Sequence, residues 1–351
     1  MNQPIKAVQS LPKVDIHRHL EGSLRLASLA EIVEAERLSL PGDPERLRPY
    51  VQIAGDQRVS AGEFLAKFKT IRRFFRSKGI IQRFTQEAIE DASLDNVRAL
   101  ELRFTPFALA QEGGFELEEV IDWVIAAARL AGESHNVEAA CVVSVNRHEP
   151  VEIAERVIDI ALDRSDDGVT GIDLAGDEAR FDASPFESAF TRAKEGGLGV
   201  TVHAGEWAGV ENVRHALERL NADRIGHGIR ILEDQEIVQE AARRGIVFEV
   251  SPSSNWKTGA IEQLASHPIA EMIQAGLALA ITTDDPSIFE LTLSSEFVLA
   301  MQEFDFSIDS VKAFNLTALR AMFLPRRAKK RLEKELVQSY WGTEASIAAD
   351  R

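Results

Sequence analysis

The chain has 351 residues, 40 Lys and Arg against 56 Asp and Glu for a formal charge of −16, and 45% apolar residues, ample for a large core. That balance argues against a nucleic-acid backbone or an anionic membrane as partner, because both demand clustered cations. The lone Cys141 excludes an internal disulfide and any Cys-x-x-Cys metal site, and no apolar run approaches the roughly 20 residues that cross a bilayer.

The first strand-like run, Lys13–His19, begins too early to leave room for a signal peptide, which predicts a cytoplasmic protein. Seven more short apolar runs follow at Arg98–Phe104, Ala139–Val145, Gly171–Leu174, Gly199–His203, Arg224–His227, Ile246–Ser251 and Leu277–Thr282. Helical spacing fills the intervals. Ser184-Pro185 reads as an N-cap and first-turn proline ahead of Phe186, Ala189, Phe190 and Ala193, and Val213, Ala216, Leu217 and Leu220 form one apolar stripe. Strand followed by helix, repeated eight times, predicts an α/β fold of the (β/α)8 TIM-barrel kind. The long interval after the first strand holds helical stretches at Phe64–Phe75 and Gln82–Ala92, and reads as a helical insertion over about 41–95, placed to act as a lid. From about 308 to 351 the chain is helical and charged, a C-terminal extension. With no low-complexity linker and no second core, residues 1–351 read as one domain.

In such barrels the working groups sit at the C-terminal ends of the strands. Here those ends read His17-Arg18-His19-Leu20-Glu21-Gly22, Asp173-Leu174-Ala175-Gly176-Asp177-Glu178, His203-Ala204-Gly205-Glu206, Gly226-His227-Gly228, Ser251-Pro252-Ser253-Ser254-Asn255 and Thr283-Asp284-Asp285-Pro286. His17 and His19, two apart on a strand, point to the same side. With His203 and Asp284 at two other strand ends, they offer three imidazoles and one carboxylate, a donor set suited to Zn²⁺. The fourth strand carries no lysine to bridge two metals, so one metal per chain is expected. A bound ion would lower the pKa of its water toward about 7. His227, between two glycines, is placed to take or hold that water's proton, and Glu206, just past the strand end, is a candidate general acid. Gly176 offers a backbone N–H with no side chain in the way. Cys141 reads as a packing residue. No role is assigned to His135, His148, His215 or His267.

Taken together, these segments resemble the ordered motif set of the adenosine and adenine deaminase family, a resemblance that also takes in Leu100-Glu101-Leu102-Arg103-Phe104-Thr105-Pro106. It implies zinc-dependent hydrolysis of the exocyclic 6-amino group of a purine, with His17, His19, His203 and Asp284 as ligands of one zinc ion. Glu206 would protonate purine N1 and His227 would orient and deprotonate the attacking water. The Gly176 amide would meet N3, and Asp285, carrying a proton, would meet N7. Phe64 and Leu65 resemble the residues that cover the sugar side. Glu21 stands where adenosine deaminases usually carry an aspartate that contacts the ribose, and Ser251 stands where many members carry cysteine. His17-Arg18-His19 and Ser254-Asn255-Trp256-Lys257-Thr258-Gly259 look like bacterial adenosine deaminases, so the expected substrates are adenosine or deoxyadenosine and water. Adenine and 6-aminodeoxyfutalosine are the alternatives on the side of Glu21, and an amide or ester hydrolase is a more distant one. Oligomeric state is not readable from the sequence.

Overall fold

A computed structural model describes residues 2–341, so positions 342–351 of the expected C-terminal extension lie outside the described residues. Eight strands, β1 (Lys13–His19), β2 (Val97–Phe104), β3 (Glu138–Asn146), β4 (Val169–Ala175), β5 (Gly199–Ala204), β6 (Arg224–His227), β7 (Val247–Val250) and β8 (Ala278–Ile281), form one sheet in chain order. Every neighbouring pair is parallel. All eight lie within two residues of the bounds predicted from sequence, and the barrel is the expected (β/α)8 TIM barrel. The remaining seam closes just beyond β8. Arg18 bridges Asp284, the His19 N–H donates to the Asp284 carbonyl at 2.8 Å, and the Asp284 N–H donates to the His17 carbonyl at 2.8 Å.

The two faces of β1 explain why the site residues point inward. Val14 and Ile16 turn outward and pack with Leu316, Leu319 and Met322, whereas Asp15 and His17 face the interior and are fully buried. That interior is charged where a barrel usually stacks aliphatic layers. Arg103, Arg224, Glu101 and Glu249 are all buried there, with Arg103 2.9 Å from Glu249, and Arg224 2.6 Å from Glu249 and 2.5 Å from Glu101.

Between β1 and β2 lie helices Leu26–Ala35, Pro44–Val51, Ala61–Arg72 and Lys78–Leu94. The Ala61–Arg72 helix starts and ends earlier than Phe64–Phe75, because Ser60 and Glu63 form a reciprocal capping box. Phe74 and Phe75 lie beyond its end as buried turn residues. Lys78–Leu94 packs against β2 and the helix Leu117–His135, the position of an outer barrel helix. At the other end, Ile308–Ala321 lies over β8 and β1 and completes the outer ring, so the segment read as an extension begins with a barrel helix. Its charged appearance hid the stripe of Val311, Asn315 and Leu319, all buried. A helix at Asn2–Ser10 was not expected. It rests against Leu293–Glu303, and Lys13 Nζ closes its end by donating to the carbonyls of Val8 (3.2 Å) and Leu11 (2.9 Å). Burial pushes the Lys13 ammonium down to about 8. Among the described residues no helix is long and apolar enough to cross a membrane.

Candidate metal-dependent active site

At the C-terminal mouth of the barrel, one ligand atom from each of His17, His19, His203 and Asp284 lies within 4.8 Å of all the others. His17 Nε2 is 3.3 Å from His19 Nε2 and 3.3 Å from Asp284 Oδ1, and His19 Nε2 is 3.4 Å from the same oxygen. A tetrahedral ion with bonds of about 2.0–2.1 Å has ligand–ligand edges of roughly 3.3 Å, which the three distances among His17, His19 and Asp284 match, and His203 lies within 4.8 Å of each as the fourth donor. The other nitrogens of two of the rings face buried carboxylates. His17 Nδ1 lies 2.8 Å from Glu249 Oε2, and His203 Nδ1 lies 2.9 Å from Asp173 Oδ1. Burial alone would raise both carboxyls, but Arg103, Arg224 and His17 around Glu249, and His203 and Arg103 around Asp173, hold them well below the usual range. An ionised Asp173 therefore accepts the His203 Nδ1–H and an ionised Glu249 sits against His17 Nδ1, an arrangement that favours Nε2 lone pairs facing the cavity. Ser254 donates to Asp284 Oδ2 at 2.7 Å, which leaves Oδ1 for the cluster.

Above the cluster is a cavity of about 320 Å³, within the usual range for a small-molecule site. His19, Glu21, Phe64, Leu65, Gly176, His203, Glu206, His227, Asp284 and Asp285, all singled out from the sequence, line it. His17 lies beneath, fully buried. Glu206 is held by its own backbone: the Glu178 carboxylate accepts the N–H groups of Gly205 (2.8 Å), Glu206 (2.6 Å), Trp207 (2.6 Å) and Ala208 (3.1 Å). Burial first, then Asp284 and Glu178, pushes the Glu206 carboxyl well above its ordinary value. Asp285 is raised in the same way, by burial, Asp284 and Glu21, and its Oδ1 is buried without a partner. Glu21 Oε1 accepts the Thr105 N–H at 3.0 Å, while Oε2 is likewise unpartnered. Burial keeps His227 well below the usual imidazole range, so it is neutral. The cavity thus presents to one ligand two carboxyls pushed toward their neutral form, an imidazole pushed the same way, and a four-residue cluster that could hold a metal.

Sequence reasoning passed over several residues that complete this arrangement. Asp173 and Glu249 are acids within short apolar strands, which is the signal that could have found them. Of the four histidines left without a role, His148 lines the cavity, His215 lies 3.1 Å from Glu187, and the buried His267 hydrogen-bonds Asn255. Lys69, Arg72 and Arg180 also reach the cavity wall.

A (β/α)8 barrel with three histidines and an aspartate converging at its mouth defines a metal-dependent amidohydrolase. The family model described as adenosine deaminase matches residues 12–339. The chain belongs to the adenosine deaminase family. An adenosine deaminase of Enterococcus faecalis is 31% identical over 333 residues, covering 95% of this chain and 98% of the relative. Among solved structures, a zinc-bound amidohydrolase from Burkholderia ambifaria has a TM-score of 0.88 at 25% identity, covering 100% and 95% of the two chains. An adenine deaminase from Arthrobacter aurescens has 0.85 at 27%, covering 93% and 98%. The N6-methyl-AMP deaminase of Arabidopsis thaliana has 0.84 at 27%, covering 96% and 99%.

Proposed function

We propose that this protein is a zinc-dependent deaminase that hydrolyses adenosine, and deoxyadenosine, to the 6-oxopurine nucleoside and ammonia. The observation that carries the reading is the pairing of the His17–His19–His203–Asp284 cluster with two buried carboxyls, Glu206 and Asp285, both pushed toward the protonated form by burial, on one cavity. A simple amide needs one acid; a purine ring offers two basic nitrogens, N1 and N7, that need one each.

A zinc ion held by the four residues would supply a nucleophilic water near neutral pH. Glu206 would donate its proton to N1, so that no negative charge builds on the ring as the water's oxygen bonds to C6. Asp285 would donate from its free Oδ1 to N7, and the Gly176 N–H would meet N3. The proton still on the added oxygen passes to the amino group, the C6–N bond breaks, nitrogen leaves as ammonia, the oxygen stays on C6 as the carbonyl, and the next water to enter returns a proton to Glu206. His227 would hold the water in line, Phe64 and Leu65 would shield the sugar, and the free Oε2 of Glu21 would meet a sugar hydroxyl. Metal-loaded protein should shift adenosine absorbance to that of inosine, with one zinc per chain by elemental analysis, and a chelator should abolish the shift. Metal-replete protein that leaves adenosine, deoxyadenosine and adenine unchanged would end this reading.

A second reading concerns the sugar end. Lys69 and Arg72, one turn apart on the lid helix, make no side-chain hydrogen bond or ion pair among the described residues, and with Arg180 and His148 they line the outer cavity. Unpaired cations at the mouth of a chain of charge −16 favour a substrate with an anionic group on the sugar. A kcat/KM for AMP above that for adenosine would support it; the reverse order removes it.

A further inference from the structure

His267 does not reach the cavity, yet hydrogen bonds engage both of its ring nitrogens. It follows the 3-10 turn Leu264–Ser266, is 3% exposed, and has the Phe304 ring against it, centroids 5.6 Å apart. The Ile269 backbone N–H donates to its Nδ1 at 3.2 Å. A backbone amide only donates, so this Nδ1 carries no proton. Burial lowers the His267 pKa to about 4, the ring is neutral, and its single proton sits on Nε2.

That Nε2 lies 3.2 Å from Asn255 Oδ1. The ring is the donor, so the amide oxygen accepts and the Asn255 NH₂ group faces the other way. There it lies 3.1 Å from His227 Nδ1 and 3.5 Å from Glu206 Oε1. An amide nitrogen also only donates, so His227 Nδ1 must be the acceptor, and the proton of the neutral His227 ring must sit on Nε2. On its far side His227 Nε2 faces the cavity, 3.5 Å from Glu206 Oε2 and 4.0 Å from Asp284 Oδ2. Turning the Asn255 amide over would set its NH₂ against the His267 N–H in a buried space, at a cost of about 1–3 kcal/mol per unmet group.

We infer that His267 and Asn255 form a relay that locks His227 in the Nε2–H tautomer, so that His227 meets the attacking water as a hydrogen-bond donor and not as its base. The inference rests on the reading above that His227 faces the reacting water. The lone pair that could accept a proton is turned away from the cavity and already occupied. The N–H aimed into the cavity can only donate to the water's oxygen, which orients its remaining lone pair toward C6 and favours the oxygen once it has lost a proton. A metal held by the four candidate ligands would let that proton leave to solvent near neutral pH, so that no side-chain base is needed. His267 and Asn255 are positioning residues.

The test is nitrogen-15 NMR of the metal-loaded, full-length protein, with the His227 signals assigned by their loss in His227→Gln. The expected wild-type spectrum has a pyridine-type Nδ1 and a pyrrole-type Nε2 for His227. A pyrrole-type Nδ1 overturns the inference without any further variant. His267→Leu frees the Asn255 amide to turn, which should give mixed His227 tautomers and a fall in kcat of about tenfold with KM little changed. His267→Gln, whose side-chain amide can still donate to Asn255 Oδ1, should restore both the spectrum and kcat. A folded His267→Leu protein with an unaltered His227 spectrum also overturns it. The spectra require no turnover, so failure of the relay and failure of adenosine deamination are separate outcomes.

Discussion

Gly22 and Asp285 are matched to each other. A Cβ built at Gly22 would lie 1.8 Å from Asp285 Oδ1, closer than any side chain can tolerate, so glycine here is what allows that oxygen to stand free in the cavity. Gly22→Ala should therefore swing the Asp285 carboxyl away from N7. The expected result is a loss of about a hundredfold or more in kcat/KM for adenosine, since a displacement near 1 Å is enough for that, with bound metal unchanged by elemental analysis. Gly226 works in the same way beside the His17–His203 pair, where a Cβ would come within 3.2 Å of His17 Cε1 and 3.3 Å of His203 Cα. His227 and Asp284 both adopt positive φ, at 61° and 59°, strained for residues with side chains and held by their neighbours. The four clustered residues were legible in the sequence because each lies at or near the end of an apolar strand, and strand ends gather at one mouth. Asn255 and His267 were not, because their value lies in which nitrogen faces which, and no spacing along the chain encodes that.

The lid shows the same division at the scale of elements. Helical periodicity marked the Ala61–Arg72 helix, and the resemblance marked Phe64. Its docking was invisible, because it depends on residues two hundred positions away. Phe64 stacks on Phe289, ring centroids 5.5 Å apart, and the Val59 N–H donates to the Lys257 carbonyl at 2.8 Å. The buried Lys257 Nζ donates to the carbonyls of Ile53 and Phe289, both at 3.0 Å, and so ties the insertion to the segments after β7 and β8. Lys257→Met keeps the stem and removes the clamp. A charged donor to a buried carbonyl contributes about 1.5–3 kcal/mol, so KM for adenosine should rise roughly tenfold or more, with kcat less affected. Steady-state kinetics with an unchanged thermal midpoint would separate loosening of the lid from general destabilisation. The outer helices had a clear apolar stripe and were legible. The charged barrel interior was not, since a buried Arg103 or Arg224 reads as a surface residue until its carboxylate partners from other strands are in place.

For the molecule as a whole, Glu296 couples stability to pH. It is buried, accepts the Ser253 N–H at 3.1 Å, and burial pushes its carboxyl up to about 7. A carboxyl whose folded pKa is raised favours the folded state most when protonated. Its contribution is whole below about pH 4.5 and is lost as pH rises through 7, a change on the order of 3 kcal/mol at most. Glu296→Gln should therefore be more stable than wild type at pH 8.5, with the gap closing at pH 5, as measured by denaturant unfolding. An equal gap at both values would show that the carboxyl is ionised throughout.

The barrel seam has a consequence in time. Thr283 donates to Asp15 across 268 residues of chain, beside the backbone bonds that join His17 and His19 to Asp284. During synthesis His17 and His19 leave the ribosome long before His203 and Asp284 exist, so the early nascent chain holds only a loose pair of the four cluster residues. The four-residue cage takes shape when the last strand zips onto the first, so capture of a metal by these residues would be a late event and a chemical report that the barrel has closed.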